Sequence, residues 1–177
     1  MRRLIPVILI LILLSACAPR HDAAANASPS PRDAAPSDEA IEAAVAWAEA
    51  LTGEASFPTI GGYQVCESDN RCTDFVSNAY GYISPMYGSA YILWEHCEQH
   101  PGDYDAPRGS LLFFDRNDYN PYGHVALCTG DQHLVEAGYP TIRKGSIGTE
   151  GTYSGYLGWA WPPAVWALGN DLHNPGG

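Results

Sequence analysis

Apolar positions along the 177 residues change their spacing several times. Leu4 to Leu14 is an unbroken apolar run of 11 residues, well short of the about 20 that a helix needs to cross a bilayer. Residues 18–37 have no period. Seven Ala, four Pro and three Ser fill these 20 positions; such a segment buries too little apolar surface to offset its chain entropy and reads as a semi-extended tether. Helical spacing then begins. Ser37 is a good N-cap, Asp38 and Glu39 suit the positive end of a helix dipole, and Ile41, Ala44, Val45, Ala48 and Leu51 form an i, i+3, i+4 stripe that stops at Gly53. Residues 53–71 read as irregular, with Pro58, Gly61-Gly62 and the polar run Glu67 to Asn70. A second helix is expected from Cys72, with Phe75, Val76 and Ala79 as its apolar face and Gly81 as its stop. A third is expected from about Ser89 to Gln99, with Ala90, Leu93, Trp94 and Cys97 on one side. Beyond Pro101-Gly102 the period becomes extended: Ser110 to Phe114, His124 to Cys128 and His133 to Glu136, with turns between, read as an antiparallel meander. Thr141 to Arg143 and Tyr156 to Trp161 add strand material. Helices first and strands afterwards predict an α+β domain, with helices packed on one face of an antiparallel sheet.

Composition sharpens the boundary. No aromatic residue precedes Trp47 and no glycine precedes Gly53, so all 20 aromatics and all 18 glycines lie beyond residue 46. Met1-Arg2-Arg3 before the apolar run is the charged start of an export signal, and Leu14-Ser15-Ala16-Cys17 resembles the lipobox of bacterial lipoproteins. By that resemblance the signal is 1–16 and Cys17 carries the lipid; composition makes 17–37 the tether, 38–168 the folded domain and 169–177 a polar, flexible tail. Ala18, not aspartate, follows Cys17, which by the same resemblance implies the periplasmic face of an outer membrane where the host has one. The net charge of −11, with 9 Lys+Arg against 20 Asp+Glu, excludes a nucleic-acid partner, whose phosphates are met by clustered cations. A monomer is expected.

The candidate chemistry lies in the folded part. Cys72 stands at the first turn of a helix, where free N–H groups and the dipole favour a thiolate. A nucleophilic thiol needs a base, and the base needs a group that orients it. His124 opens one strand and Glu136 lies in the next, and a turn at Gly130-Asp131 can set those strands side by side. Other readings fit the same residues: Cys72 paired with Cys66 in a disulfide, His124 as a satisfied edge histidine, Glu136 as a solvent-facing strand residue. With Cys17 and Cys72 set aside, an odd number of cysteines remains. A Cys66–Cys97 bridge is preferred because both lie near helix ends, with Cys128 a buried free thiol. No metal or cofactor is expected. His96 and His100 have i, i+4 spacing but lack the glutamate of zinc proteases, and Asp115, Asn117, Asp118 and Asn120 depart from a calcium loop at Tyr119.

Five blocks in order carry a resemblance: Cys72-Thr73-Asp74-Phe75-Val76; Gly88-Ser89-Ala90 with Trp94; Pro107 to Phe114; Gly123-His124-Val125-Ala126; and Val135-Glu136. Together, over about residues 40–162, they resemble the CHAP amidases, cysteine, histidine-dependent amidohydrolase/peptidases of the papain-like NlpC superfamily of cell-wall hydrolases. The resemblance implies that fold and cleavage of amide bonds in the peptide stems of peptidoglycan. Cys72 would be the nucleophile, His124 the base and Glu136 the orienting group. The oxyanion hole would use the Cys72 N–H and an upstream donor, for which Gln64 and Tyr63 are the candidates. Three positions depart from the pattern. Arg71 precedes Cys72 and Asp74 follows it where NlpC-type enzymes have aspartate and glycine, and Gly138 stands where CHAP members often have asparagine. Two other functions fit the same residues: an inactive copy of the fold that binds wall fragments or a partner, and a hydrolase of another amide or ester. Acidity is unusual for an enzyme that meets an anionic wall, and a lipid anchor removes the need for electrostatic steering.

Overall fold

A computed structural model of the chain describes residues 35–58, 64–66, 72–82, 87–138, 140–148 and 155–167. Its elements are α1 (Asp38–Ala50), β1 (Ser56–Pro58), β2 (Gln64–Cys66), α2 (Cys72–Ala79), α3 (Ala90–His96), β3 (Gln99–Pro101), β4 (Leu111–Phe114), β5 (His124–Gly130), β6 (His133–Ala137), β7 (Ile142–Ser146), β8 (Tyr156–Ala160) and α4 (Ala164–Ala167).

Ser37 is extended and its side chain accepts from the Ala40 N–H at 3.2 Å, which starts α1; a cap of this kind contributes about 1 kcal/mol. α1 buries Ala40, Ala44, Val45 and Ala48, small enough for its backbone to lie close to α2. Ile41 and Leu51 complete the expected stripe as half-buried edges. All eight residues of α2 are buried. Two of its polar side chains bond within the helix, Ser77 and Asn78 donating to the Asp74 carbonyl at 3.1 and 2.8 Å, as burial requires.

Six strands form one antiparallel sheet in the order β3-β8-β4-β5-β6-β7. The meander β4 to β7 is the one expected, and β8 returns to pair with the other side of β4. Leu111, Phe113, Val125, Leu127 and Val135 face the helices and pack with Val45, Phe75, Val76 and Leu93. Leu112, Phe114, Ala126, Cys128, Leu134 and Trp159 form a second cluster. Burial on both faces explains why the apolar run at β4 is continuous instead of alternating. Helices on a six-stranded antiparallel sheet make the chain an α+β protein.

Three local expectations are corrected. The segment read as irregular contains the β1–β2 pair, with Phe57 opposite Val65. α3 stops at His96, not Gln99, because Cys97 turns to φ −93° and ψ 160°; Gln99 to Pro101 then form the edge strand β3, the position in a sheet that tolerates proline. α4, which brings Trp166 into the main core, was not anticipated.

Gly158 is where β3 and β8 meet most closely. Its φ is +137°, and a Cβ there would stand 2.1 Å from the His100 carbonyl oxygen. Gly158→Ala is therefore expected to destabilise the fold by about 2–5 kcal/mol, through backbone strain plus overpacking. A urea titration checks it; an unchanged midpoint contradicts the close approach.

Candidate active site

The start of α2, the start of β5 and the middle of β6 converge. Cys72 is the first residue of α2, so the N–H groups of that turn lack helical acceptors, and that of Thr73 acts on its thiol. His124 is delivered by the loop that follows β4. Asn117 Oδ1 accepts from the N–H groups of Tyr119 and Asn120 at 2.9 and 2.8 Å, and Asn120 Nδ2 donates to the Gly123 carbonyl at 2.8 Å. The polar run Asp115 to Asn120 is thus a turn built on its own side chains. Two contacts tie it to α3: the Tyr91 N–H donates to the Tyr122 carbonyl at 3.1 Å, and the Arg116 guanidinium lies 3.5 Å over the Tyr91 ring.

Strand register brings the third group in. Leu127 pairs with Val135, so Glu136, the next residue of β6, lies at the end of the β5–β6 ladder that is nearer His124. His124 Nε2 and Glu136 Oε2 are 2.9 Å apart, with 1% and 0% of their side chains exposed. Cys72 is 6% exposed, and its thiol and the His124 ring act on each other through their charges. Since Nε2 is held by Glu136, Nδ1 is left for the thiol.

Burial alone would push the Cys72 thiol up. The charge of His124, its hydrogen bond, and the Val125 and Thr73 N–H groups outweigh that burial and hold the thiol below its ordinary value. Burial would likewise push His124 down, yet the charge and hydrogen bond of Cys72, followed by those of Glu136, raise it above the ordinary imidazole value. Both directions favour a thiolate–imidazolium pair, the form in which a cysteine is a nucleophile at neutral pH.

The structure brings together three of the residues singled out in the sequence, Cys72, His124 and Glu136. Gln64 lies in β2 paired with Pro58; its side chain, together with Tyr63, Arg71 and Cys17, is outside the described residues. The expected Cys66–Cys97 bridge is not formed. Cys97 is a free thiol packed against the main core, and burial pushes it up to about 12. Cys128 is a buried free thiol, its Sγ 3.4 Å from the Ala106 carbonyl. His96 and His100 do not share a helix face. His96 Nδ1 bonds the Ile92 carbonyl at 2.8 Å, whereas His100, in β3, stacks on Trp159 at 3.6 Å. No cluster of three metal-ligating side chains occurs among the described residues.

One residue at the site escaped the sequence reading. Arg143 Nε donates to Glu136 Oε1 at 2.7 Å, so the buried carboxylate lies between His124 and a guanidinium. The only trace of it in the sequence is Gly138, whose missing side chain leaves room for that guanidinium.

These features define a papain-like α+β fold, a thiol at a helix start facing a histidine on the sheet. More narrowly, the fold is that of NlpC/P60 proteins. It matches a Staphylococcus aureus structure described as similar to lipoprotein, NLP/P60 family, at 20% identity and TM-score 0.53, over 76% of this chain and 45% of that one. An NlpC/P60 family protein from Bacillus cereus aligns at 15% identity and TM-score 0.49, over 77% and 44% of the two chains. The peptidoglycan hydrolase RipB from Mycobacterium tuberculosis aligns at 18% and 0.48, over 68% and 64%. The chain thus spans less than two thirds of each of these proteins. No family model and no curated protein sequence matches it.

Proposed function

We propose that this chain is a lipid-anchored cysteine amidase or endopeptidase of the CHAP type that cuts amide bonds in the peptide stems of peptidoglycan. The observation that carries the reading is the buried succession Cys72, His124, Glu136 at the start of α2. In the proposed reaction the Cys72 thiolate attacks the scissile carbonyl carbon. The resulting oxyanion is held by the Cys72 N–H, with Tyr63 or Gln64 as the second donor. The His124 imidazolium gives its proton to the leaving nitrogen as the C–N bond breaks, which leaves a thioester on Cys72 and a free amine. Neutral His124 then takes a proton from water, whose oxygen attacks the thioester. Collapse releases the carboxylate product and restores the thiolate–imidazolium pair. Glu136 keeps the ring oriented throughout.

The five ordered sequence blocks support the substrate class, and the export signal and Cys17 support the location. A tether over 18–37 spans at most about 70 Å when fully extended, enough to let a membrane-held domain at 38–168 sample the adjacent wall. The Staphylococcus aureus neighbour, described as similar to a lipoprotein, supports such an arrangement. Among the described residues no helix is long and apolar enough to cross a membrane.

The test is digestion of purified peptidoglycan by the full chain in detergent, with released fragments read by mass spectrometry. Shortened stems or freed stem peptides bearing new amines are expected, and Cys17→Ala should move the protein from the membrane to the soluble fraction while leaving cleavage in detergent intact. Peptidoglycan recovered unchanged, with the thiol of Cys72 intact, contradicts the hydrolase and favours a wall-binding protein of the same fold.

A further inference from the structure

The contact with His124 accounts for one oxygen of Glu136 and leaves the other to be explained. Oε2 faces His124, and Oε1 accepts from Arg143 Nε at 2.7 Å. Glu136 and Arg143 are direct cross-strand partners in the β6–β7 register, the geometry in which opposite charges meet on one face of a sheet. The guanidinium does not simply extend into solvent. A Cβ built on Gly138 would stand 2.6 Å from Arg143 Nε, 3.0 Å from Cζ and 3.1 Å from Cδ. Gly138 is not among the residues with positive φ, so the backbone does not require glycine there. The arginine does.

A buried carboxylate held by one bond keeps a soft terminal torsion, because rotation about an sp³–sp² bond has broad wells. A second bond from a rigid, always-charged guanidinium removes that freedom and satisfies the remaining oxygen, which in a fully buried group would otherwise be costly. The charged groups facing Glu136 among the described residues are then His124 from β5 and Arg143 from β7, with Cys72 of α2 one step beyond the ring. Gly138 stands where CHAP members often carry asparagine, and the space of that side chain is taken by an arginine from the next strand.

We propose that Arg143 is a positioning residue that holds the Glu136 carboxylate with Oε2 toward His124, and that residue 138 is glycine because any side chain there would evict the guanidinium. The inference rests on the reading of Cys72, His124 and Glu136 as the catalytic set, and it is tested without turnover. In the full chain in detergent, labelled with 15N-histidine, the His124 signals are assigned by their loss in His124→Gln. Arg143→Ala should broaden the Nε2 proton into exchange and shift the His124 titration midpoint away from that of the wild type. Arg143→Lys should restore both in part. Gly138→Ala, which keeps every charge, should reproduce the effect, and in the Arg143→Ala background it should add nothing, because both act on one contact. Where peptidoglycan is cleaved, kcat should fall about 10- to 100-fold with KM unchanged, as for a small misplacement of a catalytic group.

An unchanged His124 proton and midpoint in folded Arg143→Ala overturns the proposal, and so does Gly138→Ala acting additively with it. If Arg143→Ala fails to fold, Gly138→Ala decides alone: a wild-type His124 spectrum counts against the proposal. A His124 that responds as expected in a protein that cuts no peptidoglycan leaves the positioning role standing and removes the substrate assignment.

Discussion

Under the proposed function, replacing Cys72 with alanine is expected to lower peptidoglycan cleavage by about 10⁴-fold or more, since removal of a covalent nucleophile leaves only binding and oxyanion stabilisation. The cost to stability should be about 1 kcal/mol, because a small buried side chain is exchanged for a smaller one on a helix held by Phe75 and Val76. The wild-type rate should follow a bell in pH. The thiol is held below its ordinary value, so the acid limb should fall below the about 8.5 of a free cysteine. His124 is raised, so the alkaline limb should lie above the about 6.5 of a free imidazole. The active form, thiolate with imidazolium, exists between the two limbs, which belong to the pair and not to either residue. A single rising limb near the ordinary thiol value contradicts the coupling.

Glu136→Gln should cost about 10⁴-fold in kcat, although it keeps the size of the side chain. The reason lies in the donors around it. Arg143 can only donate, so the amide oxygen of the new glutamine must turn to Arg143 Nε, where Oε1 now accepts at 2.7 Å. Its NH2 group then faces His124 Nε2 and forces that nitrogen to accept. The ring proton moves to Nδ1, the nitrogen left for Cys72, and a neutral ring in that tautomer cannot take the thiol proton. The fold should tolerate the change. Measured kcat within tenfold of wild type would show that Glu136 does not set the tautomer of His124.

Most of the fold could be read from spacing because spacing is what decides it. The stripe of α1, the short face of α2 and the paired runs of β4 to β6 are each set by which positions must leave water. The failures have physical causes. Pro58 and Gly61-Gly62 read as breakers, yet three residues on either side suffice for the β1–β2 pair. His96 to Gln99 continue a helical pattern, and the turn at Cys97 becomes visible only once β8 offers an edge for β3. The proximity of His124 and Glu136 follows from an antiparallel turn, which here uses a register shift after Cys128 and left-handed backbone at Asp131 and Gln132. Arg143 was not legible because its contact depends on the β6–β7 register and on empty space at Gly138, neither of which leaves a motif. The disulfide inference failed for a related reason: nearness to helix ends says nothing about where a thiol points, and that of Cys97 packs into the core.

The proposed cleavage chemistry depends on Cys72 being a nucleophile. The most direct measurement is the thiolate absorbance of the full chain in detergent as a function of pH, with Cys72→Ala subtracted to isolate the one thiol. The Cys72 thiolate should appear well below the about 8.5 of a free cysteine, and His124→Gln should return it to that value or above. A Cys72 that titrates at or above the ordinary value in the wild type, unmoved by His124→Gln, would contradict the ion pair and the hydrolase with it.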